Sequence, residues 1–316
     1  MAIRRALSRD LDIFPVALGT NVFGWTADES ASHDVLNAYV EHGGNFLDTA
    51  DQYSTWVDGN SGGESETIIG SWLAGRSDRD DLVIATKVSR HPKFPGLSAS
   101  NVRGAVDASL GRLGLDHLDL YYAHFDDPSV PLEETIEAFS ALVDAGKIRA
   151  IGISNYTADR IREWLRITQV GGYHAPIAIE PQYSLVERGI EADVLPLARE
   201  NDIAVVPYYV LARGFLTGKY RGGVAVDSPR SSVASAYLDV RGARILDAVE
   251  QVAERHNVRQ ASVAIAWALG QPGVIAPIAS ARNLDQLPGL LTAAEIDLSA
   301  EELRLLDQAS RAEQPS

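Results

Sequence analysis

Short apolar runs alternate with longer stretches of mixed polarity along almost the whole chain. Eight of these runs, at residues 16–20, 45–48, 81–87, 118–124, 148–153, 177–180, 203–206 and 274–278, are continuous rather than alternating. Brief, unbroken apolar runs predict strands buried on both faces, the signature of a parallel sheet. The intervening segments carry helical spacing. In 29–42, Val35, Leu36, Tyr39 and Val40 fall on one face, and Gly43 and Gly44 end the helix. Helices are likewise expected over 64–73, from a Ser98 or Ser100 cap to Leu113, over 131–145 with Pro131 in the first turn and Gly146 beyond the end, and onward from a Thr157 cap. Further helices are expected over 191–200, 242–256, 260–269, 284–291 and 299–309. Residues 3–14 read as a lead-in hairpin, and 208–239 as a long loop rich in Gly and Ser.

Eight buried strands, each followed by helix, predict an α/β chain folded as a (β/α)8 TIM barrel, with a short N-terminal hairpin and long loops at the C-terminal mouth. An open dinucleotide-binding sheet should show G-x-G-x-x-G after its first strand. Here that place reads Gly19-Thr20-Asn21-Val22-Phe23-Gly24, which fits neither that fingerprint nor a P-loop. No shift in composition marks a linker, so 1–316 is expected to be a single domain.

Bulk properties narrow the chemistry. The chain has 316 residues, 46% of them hydrophobic, enough for a large core, and no cysteine, which excludes disulfides, thiolate catalysis and Cys-ligated zinc. No metal site is expected. The longest apolar stretch, 203–212, is about half the ~20 residues needed to span a bilayer, and no signal-length run follows Arg4, Arg5 and Arg9. A cytoplasmic protein, monomeric or homo-oligomeric and off the membrane, is expected. The net charge of −15 repels nucleic acid. An anionic cofactor would then need locally gathered cations.

In a barrel the active site lies at the C-terminal strand ends. The second strand ends in Asp48 with Tyr53 five residues on, the third in Lys87, the fourth in His124 and the fifth in Ser154-Asn155. Gln182, Tyr208 and the segment 280–282 follow the later strands. An acid, a phenol, an amine and an imidazole in one mouth suit proton donation to a carbonyl oxygen under attack. The ammonium is expected to favour phenolate and lower the Tyr53 pKa, the carboxylate to fix the amine, and the imidazole to orient the oxygen. Such a set provides no reductant, which must come from a cofactor.

The stretches Asn-Phe-Leu-Asp-Thr-Ala-Asp-Gln-Tyr at 45–53, Gly63-Glu64-Ser65-Glu66, Ala85-Thr86-Lys87, Leu118-Asp119-Leu120-Tyr121-Tyr122, Gly146-Lys147-Ile148-Arg149, Ile151-Gly152-Ile153-Ser154-Asn155 and 214–220 give the chain its resemblance to the aldo-keto reductases, over nearly its whole length. The resemblance implies a catalytic tetrad of Asp48, Tyr53, Lys87 and His124, with Tyr53 as proton donor, and an NADP-dependent oxidoreductase that reduces an aldehyde, ketone or keto-sugar to the alcohol. It implies that Thr20, Asn21 and Asp48 belong to the cofactor site, that Ser154, Asn155 and Gln182 hold the nicotinamide carboxamide, and that Tyr208 stacks on its ring. Leu211 and Gly214, with Lys219 and Arg230, would clamp the pyrophosphate. Ser280, Arg282 and Gln286 would take the adenosine phosphate, and the guanidinium of Arg282 favours NADPH over NADH. Trp25, Trp56 and Phe125 lie near the predicted mouth and are expected to line the substrate pocket, with Asn21, Asp126 and Asp127 adding polar groups. Two features depart from the family pattern. The loop after strand seven reads Tyr208-Tyr209-Val210-Leu211, and Gly289 and Leu290 stand where a Glu-Asn pair usually reads adenine. Two other readings stand beside this one: a non-catalytic NADP(H)-binding regulatory subunit resembling potassium-channel β subunits, and a Schiff-base aldolase using Lys87.

Overall fold

The structure is a computed structural model that describes residues 3–221, 226 and 231–311. Its framework is eight parallel strands: β1 (Ala17–Gly19), β2 (Phe46–Asp48), β3 (Val83–Val88), β4 (Leu118–Ala123), β5 (Ile148–Ser154), β6 (Pro176–Glu180), β7 (Ala204–Val205) and β8 (Ile278–Ala279). They pair in the order β7-β6-β5-β4-β3-β2-β1-β8. The ring closes where Val205 bridges Val274 and the Ile278 amide donates to the Pro207 carbonyl at 2.8 Å. The chain is a (β/α)8 barrel.

Helices α1 (Glu29–Glu41), α2 (Glu64–Leu73), α3 (Ala99–Leu113), α4 (Leu132–Asp144), α5 (Ala158–Gly171) and α6 (Val194–Glu200) follow the first six strands in turn. The short α7 (Ser231–Ser235), then α8 (Val240–His256) and α9 (Gln260–Leu269), lie between β7 and β8, and α10 (Leu287–Leu291) and α11 (Ala300–Ser310) end the described chain. Ser98 and Thr157 cap α3 and α5 through side-chain oxygens that accept from Asn101 N and Arg160 N. Pro131 occupies the N-cap of α4 rather than its first turn. The helix expected over 191–200 is split. A 3-10 turn at Gly189–Ala192 gives way to α6 at Asp193, whose carboxylate accepts from the Val194 amide. No helix among the described residues is long and apolar enough to cross a membrane.

Two antiparallel hairpins complete the frame. Arg5–Ser8 pairs with Leu11–Ile13 as expected, and its Leu7, Leu11 and Ile13 join the buried lumen. A smaller one, Arg90–His91 with Phe94–Pro95, stands beyond β3 and was not foreseen. Two-residue strands carry no periodic signal.

The core is two-layered, as a barrel requires. Leu18, Leu47, Ile84, Tyr121, Ile151 and Ile179 face the helices. Ala17, Phe46, Val83, Ala85, Leu120, Tyr122, Ala150, Ala178, Val206, Ala276 and Ile278 fill the lumen. Side chains alternate between faces with period two. Gly152 shows how tight the lumen is, because a Cβ there would lie 2.3 Å from the Tyr122 ring. Counting on by two from the lumen residues reaches Asp48, Lys87, His124, Ser154, Glu180, Tyr208 and Ser280. The site is the last inward layer of the barrel.

Candidate active site

Lys87 is fully buried at the centre of this layer. Its ammonium donates to both oxygens of Asp48 at 2.7 and 2.6 Å, to the Thr49 carbonyl at 2.9 Å and toward the Tyr53 hydroxyl at 3.1 Å. Those contacts hold the amine as a cation. Burial works against its charge, but the groups around it, Asp48 foremost, outweigh that and raise its pKa. For Tyr53 the balance differs from the sequence expectation. Burial raises the phenol pKa, and the Lys87 charge pulling it down does not offset that. Tyr53 is therefore held as a phenol with a proton to give. His124 is held as a neutral imidazole well below its ordinary pKa, by burial first and then by Lys87 and Arg90. Its ring lies 6.4 Å from that of Tyr53 and stacks on Phe125 at 4.7 Å, and the Arg90 guanidinium lies over the Phe125 ring, 3.7 Å from its centre.

These groups border a cavity of about 840 Å³ that runs across the barrel mouth. At one end Trp25 and Trp56 meet edge to face at 5.6 Å, beside Tyr53, His124 and Phe125. In the middle lie Asn21, Asp48, Asn155, Gln182 and Tyr208. At the other end are Leu211, Gly214, Lys219, Ser280, Arg282 and Gln286, so the topology gathers nearly the whole predicted set on one cavity.

Some predicted residues do other work. Thr20 is one position off the inward face of β1. Its hydroxyl donates to the Asp48 carbonyl at 2.9 Å and accepts from Ser65 at 2.8 Å, so it braces β2 from behind. Ser154 is fully buried and donates to the Glu180 carbonyl at 2.8 Å. Asp126 is paired with Arg160 at 2.7 Å, and Asp127 accepts from Leu97 N and Ser129, so both shape the loop and are outside this cavity. Arg230 lies outside the described residues.

Asn155 adopts φ 61°, a left-handed conformation that asparagine tolerates better than most residues. Its amide nitrogen donates to the His124 carbonyl at 2.9 Å and to Ser154 Oγ at 3.0 Å, and its oxygen accepts from the Tyr208 hydroxyl at 2.6 Å. Burial pushes the Tyr208 phenol up to about 12, so it stays a donor. Gly214 has φ 95°, which an L side chain rarely adopts, and a Cβ there would sit 3.2 Å from the Lys219 amine. The turn thus keeps backbone and ammonium together at the cavity edge.

Several lining residues carried no sequence signal of their own. Arg213, Arg259 and Gln260 join Lys219 and Arg282 at the far end. Arg213 lies over the Tyr209 ring at 4.6 Å, and Arg259 donates to the Asp285 carbonyl. The Arg282 amide donates to Gln286 Oε1 at 3.1 Å, while its guanidinium has no ion-pair partner among the described residues. In a chain of net charge −15, Arg213, Lys219, Arg259 and Arg282 thus line the same cavity, which favours an anionic cofactor there. Gly289 and Leu290 line the same end with no side-chain donor to offer. The other unforeseen residue is Glu180, which ends β6, is 3% exposed and brings Oε1 to 3.5 Å from the Lys87 nitrogen.

Known proteins match this arrangement along the chain. The model of the aldo/keto reductase family matches residues 15–311. The uncharacterized oxidoreductase YrpG of Bacillus subtilis is 33% identical, covering 94% of this chain and 92% of its own. The aldo-keto reductase YhdN of the same organism is 34% identical over 87% of this chain and 81% of its own. Norsolorinic acid reductase of Aspergillus flavus is 28% identical over 96% of this chain and 79% of its own. With its barrel, its mouth-end side chains and a family match over nearly its full length, the chain belongs to the aldo/keto reductase family, oxidoreductases that act on small carbonyl compounds with nicotinamide cofactors.

Proposed function

We propose that this chain reduces an aldehyde, ketone or keto-sugar to the alcohol, with NADPH as reductant and Tyr53 as proton donor. The observation that carries the reading is the buried line Asp48–Lys87–Tyr53, which ends in a phenol 3.1 Å from a fixed ammonium at a cavity also lined by Arg213, Lys219, Arg259 and Arg282.

The residues present fit a nicotinamide dinucleotide phosphate. Asn155, Gln182 and Tyr208 would hold the nicotinamide end, with Ser154 bracing them and Asp48 and Asn21 close by. Gly214, Leu211 and Lys219 would hold the pyrophosphate, and Ser280, Arg282 and Gln286 the adenosine phosphate. When bound, the reduced cofactor supplies the hydride. Tyr53 gives its proton to the carbonyl oxygen as negative charge develops there, and Lys87 stabilises the phenolate left behind. His124, kept neutral, steers the oxygen without adding charge. Trp25, Trp56 and Phe125 offer aromatic faces to the rest of the substrate. A relative named as a reductase supports the reductive direction.

Lys87 as a Schiff-base nucleophile is disfavoured, because its donors are engaged by Asp48, Thr49 and Tyr53 and its pKa is raised. The test is loss of reduced cofactor with 4-nitrobenzaldehyde. Tyr53→Phe is expected to lower kcat by roughly 10²–10⁴ while NADPH binding holds. Turnover insensitive to that change removes Tyr53 from the mechanism. Tight NADPH binding with no turnover on any carbonyl favours the regulatory-subunit reading.

A further inference from the structure

The charges beneath the cavity do not pair off. An ammonium has three hydrogens to donate. Those of Lys87 go to Asp48, to the Thr49 carbonyl and to Tyr53, all at 3.1 Å or less. Glu180 Oε1, at 3.5 Å, is left outside that set. Its other oxygen, Oε2, is buried, and no N–H or O–H among the described residues reaches it. Asp48 meets the same ammonium at 2.6 Å, so two buried carboxyls flank a single cation. Two carboxylates beside one buried ammonium leave a negative charge uncompensated unless one of them carries a proton. The remaining ionisable groups facing Glu180 are phenols: Tyr53 from the loop after β2, Tyr122 from β4 and Tyr208 from the end of β7. Lys87 on β3 is the one cation among them, and Asp48 already holds it with both oxygens.

We propose that Glu180 is a positioning residue for proton transfer, a neutral carboxylic acid across the Lys87 ammonium from Asp48 that leaves the Lys87 charge available to Tyr53. This rests on the reductase reading. Burial and then the Asp48 charge push the Glu180 carboxyl well above the usual range, and Lys87 pulling it down does not cancel them. With Glu180 neutral, the buried floor holds one cation and one anion. During reduction the Tyr53 O–H bond breaks, the alcohol O–H forms, and the electron pair stays on the phenolate oxygen facing Lys87. Should Glu180 lose its proton, a second carboxylate would compete for that ammonium and repel the phenolate. Proton transfer from Tyr53 then becomes harder. Glu180 therefore acts through Lys87 and sets an alkaline limit on reduction.

Glu180→Gln keeps the shape and removes the ionisation. Infrared spectra of the parent in heavy water are expected to contain a protonated-carboxyl band at neutral pH that is absent from E180Q. Asp51, a second buried carboxyl held well above its usual range, contributes its own band, which D51N identifies. On alkaline titration the Glu180 band of the parent disappears over the same interval in which kcat falls. Across that interval E180Q keeps its rate, a gain of about tenfold for each pH unit. The proposal is overturned if E180Q removes no protonated-carboxyl band, or if parent and variant lose kcat together at alkaline pH. Should E180Q fold poorly, coincidence of band loss and rate loss in the parent alone decides it, and their separation overturns it. The infrared arm needs no turnover, so an absent reductase activity counts against that reading and not against the protonation of Glu180.

Discussion

The hydroxyl of Tyr208 donates to Asn155 Oδ1 at 2.6 Å and ties the mouth end of β7 to that of β5 across the end of β6. With the Asn155 nitrogen bonded to His124 O and Ser154 Oγ, all the polar atoms of that amide are held. Asn155 is thus aimed before anything binds, and Tyr208 is the residue that aims its oxygen.

Tyr208→Phe keeps the ring and removes the bond. A neutral hydrogen bond is worth about 0.5–1.5 kcal/mol, so NADPH affinity is expected to fall by roughly two- to twelvefold. Tyr208→Ala, which also removes the aromatic face, is expected to cost more. Fluorescence titration with NADPH measures both. Equal affinity for parent and Tyr208→Phe would show that Asn155 needs no such support.

At the other end of the cavity the guanidinium of Arg282 has no ion-pair partner among the described residues, and its backbone amide is fixed by Gln286. If it reads the 2′-phosphate, Arg282→Ala loses charged hydrogen bonds worth about 1.5–3 kcal/mol. NADPH affinity would then fall by roughly 10- to 150-fold while NADH affinity stays put. Parallel losses for both cofactors would assign Arg282 to the shared part of the dinucleotide instead.

Much of this arrangement was legible because β2 to β6 are short, buried on both faces and continuous in apolarity. β7 and β8 were less so. Ala204–Val205 and Ile278–Ala279 are only two residues each, and Pro207 and Pro277 interrupt the amide ladder beside them. Glu180 was missed although its position follows the rule that reaches the other inward residues. Two residues beyond Ala178 is Glu180, as two beyond Phe46 is Asp48 and two beyond Ala85 is Lys87. Gln182 is one further inward step along the same face. Arg213, Arg259 and Gln260 had no comparable signal, since only the closed barrel brings a loop and the start of α9 to the same cavity. The lowered Tyr53 pKa was expected from charge alone. Burial of the phenol could not be read from a loop tyrosine, and burial is the larger influence.

His124 gives a pH dependence of stability with a definite sign. Its folded-state pKa lies well below the unfolded value near 6.5. Between those values the unfolded chain binds a proton that the folded chain does not. Stability is therefore intact above about pH 6.5 and falls as pH drops below it, by up to about 1.4 kcal/mol per unit. His91, also lowered by burial and by Arg112, adds in the same direction. Urea unfolding of the parent and of His124→Asn between about pH 5 and 8 separates them. The variant should lose part of the slope, and identical slopes would mean that His124 is protonated in the folded protein.

Lys87 ties catalysis to stability most directly. Lys87→Met leaves Asp48 and Glu180 facing each other in the same buried floor with no cation between them. Removing one partner of a buried ion pair costs about 3–5 kcal/mol, because the other charge stays uncompensated. Replacing both with neutral groups costs far less. Lys87→Met is therefore expected to shift the urea midpoint strongly, and the Lys87→Met, Asp48→Asn double variant to recover much of that loss. Reduction should be lost in both, since neither offers Tyr53 an ammonium. Recovery of folding without recovery of turnover would separate the two roles of Lys87. A double variant no more stable than Lys87→Met would show that packing around the lysine stem, rather than its charge, holds β2 and β3 together.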